Sequence, residues 1–209
     1  MTRPLRNLSL SQIKPAGLRV GVTVVLVAAI MALSVAVYNR LPYSWNVLAP
    51  FDVHGSIGHE VAGRQVRATV RDVKVGPVIK HTAVIPARRN IPAQGQWVVV
   101  SLTVTAINDT TPVDADLQLR GSTYTSEQRI DPSTLHGVSL QPGIPVSGVF
   151  VFEVPSAAVD GAPVAQLRIR TQMVTILDND LVIDLPLAPD RAPRMSVVAL
   201  PVTVTGEPR

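Results

Sequence analysis

Three groups of side chains in this chain have the types and spacing to do chemistry. His54, His59 and Glu60 form an H-x4-H-E cluster, which offers two imidazole nitrogens and a carboxylate to a zinc ion. On a strand, residues five apart point to opposite faces, so both rings reach one ion only if the chain turns at Gly55 or Gly58. Asp109, Asp114 and Asp116, or Asp178 and Asp180, present carboxylate oxygens that suit calcium, although neither set has the spacing of a calcium loop. Asp is also a residue that turns prefer, through bonds to its own backbone. A metal-assisted hydrolase built on His54, His59 and the Asp-rich loops is the catalytic reading these residues permit. His81 and His136 stand isolated, with no Ser and Asp placed beside them as a triad would need. The sequence therefore assigns no catalytic residue, no metal ligand set and no cofactor.

The third group is a row of cations. Residues 61–90 hold Arg64, Arg67, Arg71, Lys74, Lys80, Arg88 and Arg89 against Asp72 alone. Between 109 and 190 the balance reverses, with eleven acids against Arg120, Arg129, Arg168 and Arg170. Arg67, Arg71 and Lys74 fall on one solvent-facing row if the strand carries a bulge. Such a row suits anionic lipid heads, an acidic glycan or an acidic partner subunit. The plainer reading is a solvated sheet face balanced by the acidic strands.

Strands must position these groups. Val66, Ala68 and Val70 alternate with Arg67, Thr69 and Arg71, and the phase then slips so that Val73 and Val75 are apolar. One extra residue at Arg71-Asp72 restores the register, which predicts a β-bulge. Val98, Val100, Leu102, Val104 and Ala106 form the clearest inward row, with Trp97, Val99, Ser101, Thr103 and Thr105 opposite, as on a central strand. Val149 to Val154 is apolar on both faces. Ala165, Leu167 and Ile169 alternate with Gln166, Arg168 and Arg170, as on a half-exposed strand. Asp178-Asn179 reads as a hairpin turn between Val174–Leu177 and Leu181–Leu185. After residue 40 no 3.6-residue period is sustained, and sixteen of the chain's eighteen prolines fall there and oppose helices. Seven to nine short strands with Pro/Gly turns predict an all-β, antiparallel sandwich over 52–190. Residues 191–209 read as a C-terminal extension with an edge strand near Pro201.

The N-terminal segment sets location. Val20 to Asn39 carries no charge, and ten of its residues are Val, Leu or Ile, which favours insertion by roughly 3–6 kcal/mol. Every charge before it is basic (Arg3, Arg6, Lys14, Arg19), and the first acid is Asp52. That asymmetry predicts a cytoplasmic tail at 1–19, a transmembrane helix at 20–39, a short stalk at 40–51 and an extracytoplasmic domain beyond. Tyr38, Tyr43 and Trp45 would be interfacial anchors. A cleaved signal is the rival reading, since Ser34-Val35-Ala36 has the small-x-small form, but the apolar run is longer than an ordinary signal core. The net charge of +4 resides in the anchor: residues 1–40 carry five basic groups and no acid. Nucleic acid is thereby disfavoured as a partner. With no cysteine, the domain is held by packing alone.

Gly95-Gln96-Trp97 leads into a valine-rich strand followed by Asn108; Leu140-Gln141-Pro142-Gly143 then precedes Gly148 to Pro155. This order resembles a family of bacterial envelope lipoproteins with an immunoglobulin-like extracytoplasmic domain, catalogued under a telomeric-repeat-binding-factor-like name, over about residues 55–171. The resemblance implies an immunoglobulin-like sandwich in the cell envelope and transfers no site residue. The usual lipid-attachment Cys is missing, and an N-terminal helix stands in its place. The expectation is a single-pass cell-membrane protein, bound to the bilayer by its helix, whose outer module contacts an envelope protein or polymer without catalysis. An accessory subunit of an envelope export or synthesis complex is the competing role.

Overall fold

The computed structural model describes residues 15–41, 49–81, 90–130, 133–161, 164–171 and 178–206. Arg3, Arg6, Lys14, Tyr43, Trp45, Arg88, Arg89 and the expected strand at 174–177 lie outside them.

Helix α1 spans Pro15–Tyr38, opening on a proline whose missing N–H costs nothing at a first helical turn. Arg19–Tyr38 has a mean hydropathy of 2.7, and each described side chain along it is exposed. A helix apolar on every side and this long, about 36 Å at 1.5 Å per residue, suits lipid. Its Thr and Ser hydroxyls bond back onto the helix: Thr23 Oγ1 donates to the Arg19 carbonyl at 2.9 Å and Ser34 Oγ to the Ile30 carbonyl at 2.8 Å. Neither then needs water.

The β domain is a sandwich of two sheets. The first runs β1 (Phe51–Ser56), β11 (Asn179–Pro186), β10 (Val164–Arg170), β6 (Asp114–Leu119) and β7 (Ser122–Thr125), with only β1–β11 parallel. The second runs β12 (Val198–Ala199), β3 (Val66–Lys80), β4 (Asn90–Ala106), β9 (Val146–Val154) and β13 (Val204–Thr205), with β2 (Glu60–Ala62) also on β3. A short pair, β5 (Thr111–Pro112) with β8 (Ser139–Leu140), lies apart. Eight of these strands reach four residues, within the range the turn spacing predicts. One helical turn, α2 (Ser156–Asp160), interrupts the all-β domain; it is too short to show a period.

Val98, Val100, Leu102, Val104 and Ala106 are buried and meet Leu117, Leu167, Ile169, Leu181 and Ile183 of the facing sheet. Strand β4 is central, as its apolar faces require. The bulge falls where the phase slip puts it, since Val70 pairs with Leu102 and Asp72 with Ser101, leaving Arg71 as the extra residue. A second irregularity pairs Gly76 with Trp97 and Val78 with Pro92, so residues 93–96 loop out of the ladder. Gly95 is there because its backbone lies against β9: a Cβ would come within 2.3 Å of the Val154 carbonyl oxygen.

The hairpin turn at Asp178-Asn179 does not form. Asn179 and Asp180 already belong to β11, in parallel register with Phe51 and Asp52. Asp178 has a tertiary use that outweighs its turn preference, because Arg64 and Gln65 donate to its carboxylate. Phe51, placed in the stalk by its sequence, opens β1.

Residues 191–206 do more than add an edge. The Val75 N–H donates to the Pro193 carbonyl and the Met195 N–H to the Val75 carbonyl. Strand β12 then pairs with one edge of the second sheet at Ile79-Lys80, and β13 pairs with the opposite edge at Val146-Ser147. The connecting residues, with Pro201 between the two short strands, strap across the sheet. Val198 and Leu200 pack with Ile79, Trp97, Val99, Ile130, Val149 and Val151 into a second apolar core outside the first.

Candidate interaction face and the charged ladder

The strap divides the outer face of the second sheet in two. Toward Trp97 the face is core. Away from it, successive cross-strand rows carry Thr69–Thr103–Ser147 and Asp72–Ser101, and this half stays open. Arg67, Arg71 and Lys74 share it, Arg67 and Arg71 exposed and Lys74 half-buried, as the bulged register predicts. Arg71, freed from the ladder by the bulge, extends over β4 and donates from Nη2 to Ser147 Oγ on β9 at 3.2 Å. Ser147 Oγ and Thr103 Oγ1 are 2.9 Å apart. Asp72 is already satisfied, accepting from Ser101 Oγ at 2.7 Å and from Lys74 Nζ at 3.3 Å. Arg71, Asp72, Lys74, Ser101 and Ser147 line a groove of about 410 Å³ whose far side is Pro201, Val202 and Val204 of the strap. A cationic, hydroxyl-lined groove with an apolar lip holds anionic groups better than neutral ones.

The outer face of the first sheet is a ladder of ions. Arg168 on β10 grips Asp52 with both Nη atoms at 2.6 and 2.8 Å and also reaches Asp180 at 2.9 Å. Arg170, two residues on, meets Asp116 at 2.7 Å and Asp114 at 3.8 Å. Asp116 and Asp180 are buried, and among the described residues one carboxylate oxygen of each, and the Nε atoms of Arg168 and Arg170, have no hydrogen-bond partner. Burial raises the Asp116 pKa above the ordinary carboxylate value, an effect Arg170 opposes and Asp114 and Asp180 reinforce. The pairing of each arginine with flanking aspartates makes this face a structural brace.

The candidate metal and catalytic residues lie apart in the fold. His54 is exposed on β1, while His59 follows the Gly58 turn, where φ is +84°. Among the described residues no three His, Asp or Glu side chains converge as a metal site. Of the calcium sets, Asp109 is exposed in a loop, Asp178 is held below the usual carboxylate pKa by the Arg64 guanidinium, and Asp114, Asp116 and Asp180 belong to the ladder. Sequence separation hides one cluster. His136 Nδ1 lies 2.8 Å from Ser126 Oγ and 3.1 Å from Asp114 Oδ1, and Ser126 Oγ itself donates to Asp114 at 2.7 Å. Serine and aspartate meet the same ring nitrogen, so the imidazole cannot relay a proton from one to the other. The arrangement ties loops to β6; it does not activate Ser126, which is buried. Ser147 and Thr103 also escape a sequence reading as functional candidates, although the hydroxyl row Ser101, Thr103, Thr105 is visible in the alternation of β4.

No family model matches the chain, and no curated protein matches it. Among solved structures it is similar to an uncharacterised β-sandwich protein of Clostridium difficile 630, at 11% identity and TM-score 0.44 over 65% of this chain and 95% of that one. It is similar to the yjhA protein of Bacillus subtilis at 14% identity and TM-score 0.42, over 62% and 99%. The secreted protein MPT63 of Mycobacterium tuberculosis aligns at 21% identity and TM-score 0.39, over 64% and 98%. At such low identity these likenesses assign no role to any residue of this chain.

Proposed function

We propose that the chain is a membrane-tethered, non-catalytic module that works outside the cytoplasm and holds an anionic envelope polymer or the acidic surface of an envelope protein on its second sheet. The observation that carries this reading is the coexistence of a lipid-compatible helix, Arg19–Tyr38, with one sheet face that leaves Arg67 and Arg71 without a neighbouring carboxylate among the described residues, while Lys74 pairs with Asp72. Arg67 has no ion-pair partner among the described residues, and Arg71 donates to a neutral hydroxyl. By contrast, the arginines of the first sheet's ladder are consumed by aspartates: Arg168 by Asp52 and Asp180, Arg170 by Asp116 and Asp114. The positive residues before the helix and the absence of acids until Asp52 support a cytoplasmic start and an external sandwich. The separation of His54, His59 and the aspartates supports a binding role over hydrolysis.

The absence of cysteine makes the topology easy to test. Single substitutions Ser9→Cys in the tail and Ser122→Cys on exposed β7 are labelled in intact cells with a membrane-impermeant maleimide. Labelling at 122 and protection at 9 are expected; protection at 122 refutes the external placement. In the same membranes, Arg67→Glu, Arg71→Glu and Lys74→Glu together should abolish the cross-links that the intact chain makes to its partner. Unchanged cross-links with a folded domain would remove this face from the function.

A further inference from the structure

Resting on the reading of the second sheet as a binding face, we infer that its groove is a phosphate site formed by Arg71, Lys74 and Ser147, and that the bulge exists to aim Arg71 into it. In a regular strand residue 71 would pair with Ser101 and stand in that row. The extra residue at the bulge instead lifts Arg71 out of register, a use of bulges that recurs where a side chain must be re-aimed. The guanidinium then lies across β4, and its one hydrogen bond among the described residues runs from Nη2 to Ser147 Oγ at 3.2 Å. A guanidinium has five N–H donors, so most of its capacity is unspent.

The floor beneath it is matched to a tetrahedral oxyanion. Ser147 Oγ and Thr103 Oγ1 share one hydrogen bond at 2.9 Å; with Thr103 donating in it, the Ser147 hydroxyl keeps its own proton for a ligand. Lys74, on the same strand as Arg71, adds ammonium donors while its charge is balanced by Asp72 at 3.3 Å, which leaves Arg71 as the excess positive charge of the groove. Asp72, the one acid lining the groove, is committed to Ser101 and Lys74 and so does not cancel Arg71. Guanidinium, ammonium and hydroxyl donors from β3 and β9 satisfy the several oxygens of a phosphate better than the two of a carboxylate. The groove holds no aromatic side chain on which a neutral sugar would stack. Pro201, Val202 and Val204 make its rim apolar, with Val202 58% exposed, which suits the glycerol or acyl-bearing side of a phosphodiester.

The test uses the full chain in maltoside micelles, free of phospholipid, titrated with inorganic phosphate by calorimetry. Saturable binding is expected, weakened at least tenfold by Arg71→Gln and threefold or more by Ser147→Ala, and unchanged by Arg191→Gln on an exposed distant turn. Near-ultraviolet dichroism of buried Trp97 checks that each variant is folded. No saturable binding by the intact chain, or equal binding by folded Arg71→Gln, overturns the assignment. Acetate binding as tightly as phosphate also overturns it, in favour of an acidic peptide. Glycerophosphoglycerol and a poly(glycerol phosphate) oligomer separate a lipid headgroup from a wall polymer as the source of the phosphodiester; binding of either upholds the site. If phosphate fails while the triple charge reversal still abolishes cross-links, the phosphate site falls and the interaction face stands. If the cross-links also persist, both fall.

Discussion

Replacing Arg168 with Met should be among the most damaging single changes on the surface of the sandwich. The guanidinium is 20% exposed and holds two carboxylates of unequal burial: Asp52, 35% exposed, and Asp180, 5% exposed. Loss of the Asp52 contact costs little, about 1 kcal/mol, because water replaces the partner. Asp180 is different, since its other oxygen already has no partner and its exposed area is too small for rehydration. Breaking a buried pair from one side costs about 3–5 kcal/mol, and the neighbouring Arg170 reduces that here, so the total is about 3–4 kcal/mol. For a domain of this size each kcal/mol moves the midpoint by about 2–4 °C, which gives a fall of roughly 6–16 °C. Thermal unfolding of the full chain in neutral detergent, followed by near-ultraviolet dichroism, reads this directly. The double variant Arg168→Met, Asp180→Asn should recover at least half of the loss, because the stranded charge is gone. A single variant within about 1 kcal/mol of the parent, or a double variant no better than the single, would refute the account of the ladder as a buried brace.

Ending the chain after Ala192 should uncover the second core; Trp97 fluorescence shifts to the red and a hydrophobic dye binds, whereas a mere appendage would leave both unchanged. Arg120 occupies a left-handed conformation, φ 52°, ahead of Gly121 at φ 80°, and its guanidinium makes one long bond, 3.4 Å, to the Ala157 carbonyl. Arg120→Asn, a residue that tolerates this region, should therefore raise the melting temperature by about 1–3 °C. For acid stability, Asp178 and Glu127 have pKa values lowered by bonds from Arg64 and Arg129. Their contribution is complete above the unfolded carboxylate range of about 4 and is lost as pH falls through the depressed folded values. Asp116 acts in the opposite sense: burial raises its folded value, so its contribution is present below about pH 4 and lost as pH rises through that value. Urea midpoints measured against pH should fall on acidification, and Asp116→Asn should make that fall steeper by removing a group whose pKa is raised on folding.

What could be seen in the sequence is what period and charge encode locally. Alternation tells which face of β4 is inward, and the break in alternation at Arg71-Asp72 locates the bulge to the residue. The unbroken apolar run marks α1 nearly to its ends. What escapes has one physical origin, pairing between distant segments. Asp178-Asn179 looks like a turn because local bonds are all a short window contains; the structure gives Asp178 to Arg64, 114 residues away, and Asn179 to the β1 ladder. Asp52 and Arg168 are 116 residues apart, and Asp114, Ser126 and His136 sit in separate elements. None of these pairings leaves a periodic trace.

The strap shows why that distinction matters for function. A stretch such as 195–205, with Val and Pro and no charge, is compatible with a loose tail, an edge strand or a cover, and composition cannot choose among them. The choice is made by the outward residues of β4 and β9. Trp97, Val99, Val149 and Val151 on the outer face would expose a large apolar patch, and such a patch demands a partner. Residues 198–200 supply it from within the chain. Because that apolar half is covered internally, the part of this face that stays open is the half bearing Arg67, Arg71 and the hydroxyl row, the half proposed above to bind. The same segment that completes the core thus sets the boundary of the groove, with Val202 and Val204 on its rim and Val198 and Leu200 beneath. A ligand in the groove must contact the strap, so its binding and the strap's seating on Trp97 should strengthen each other.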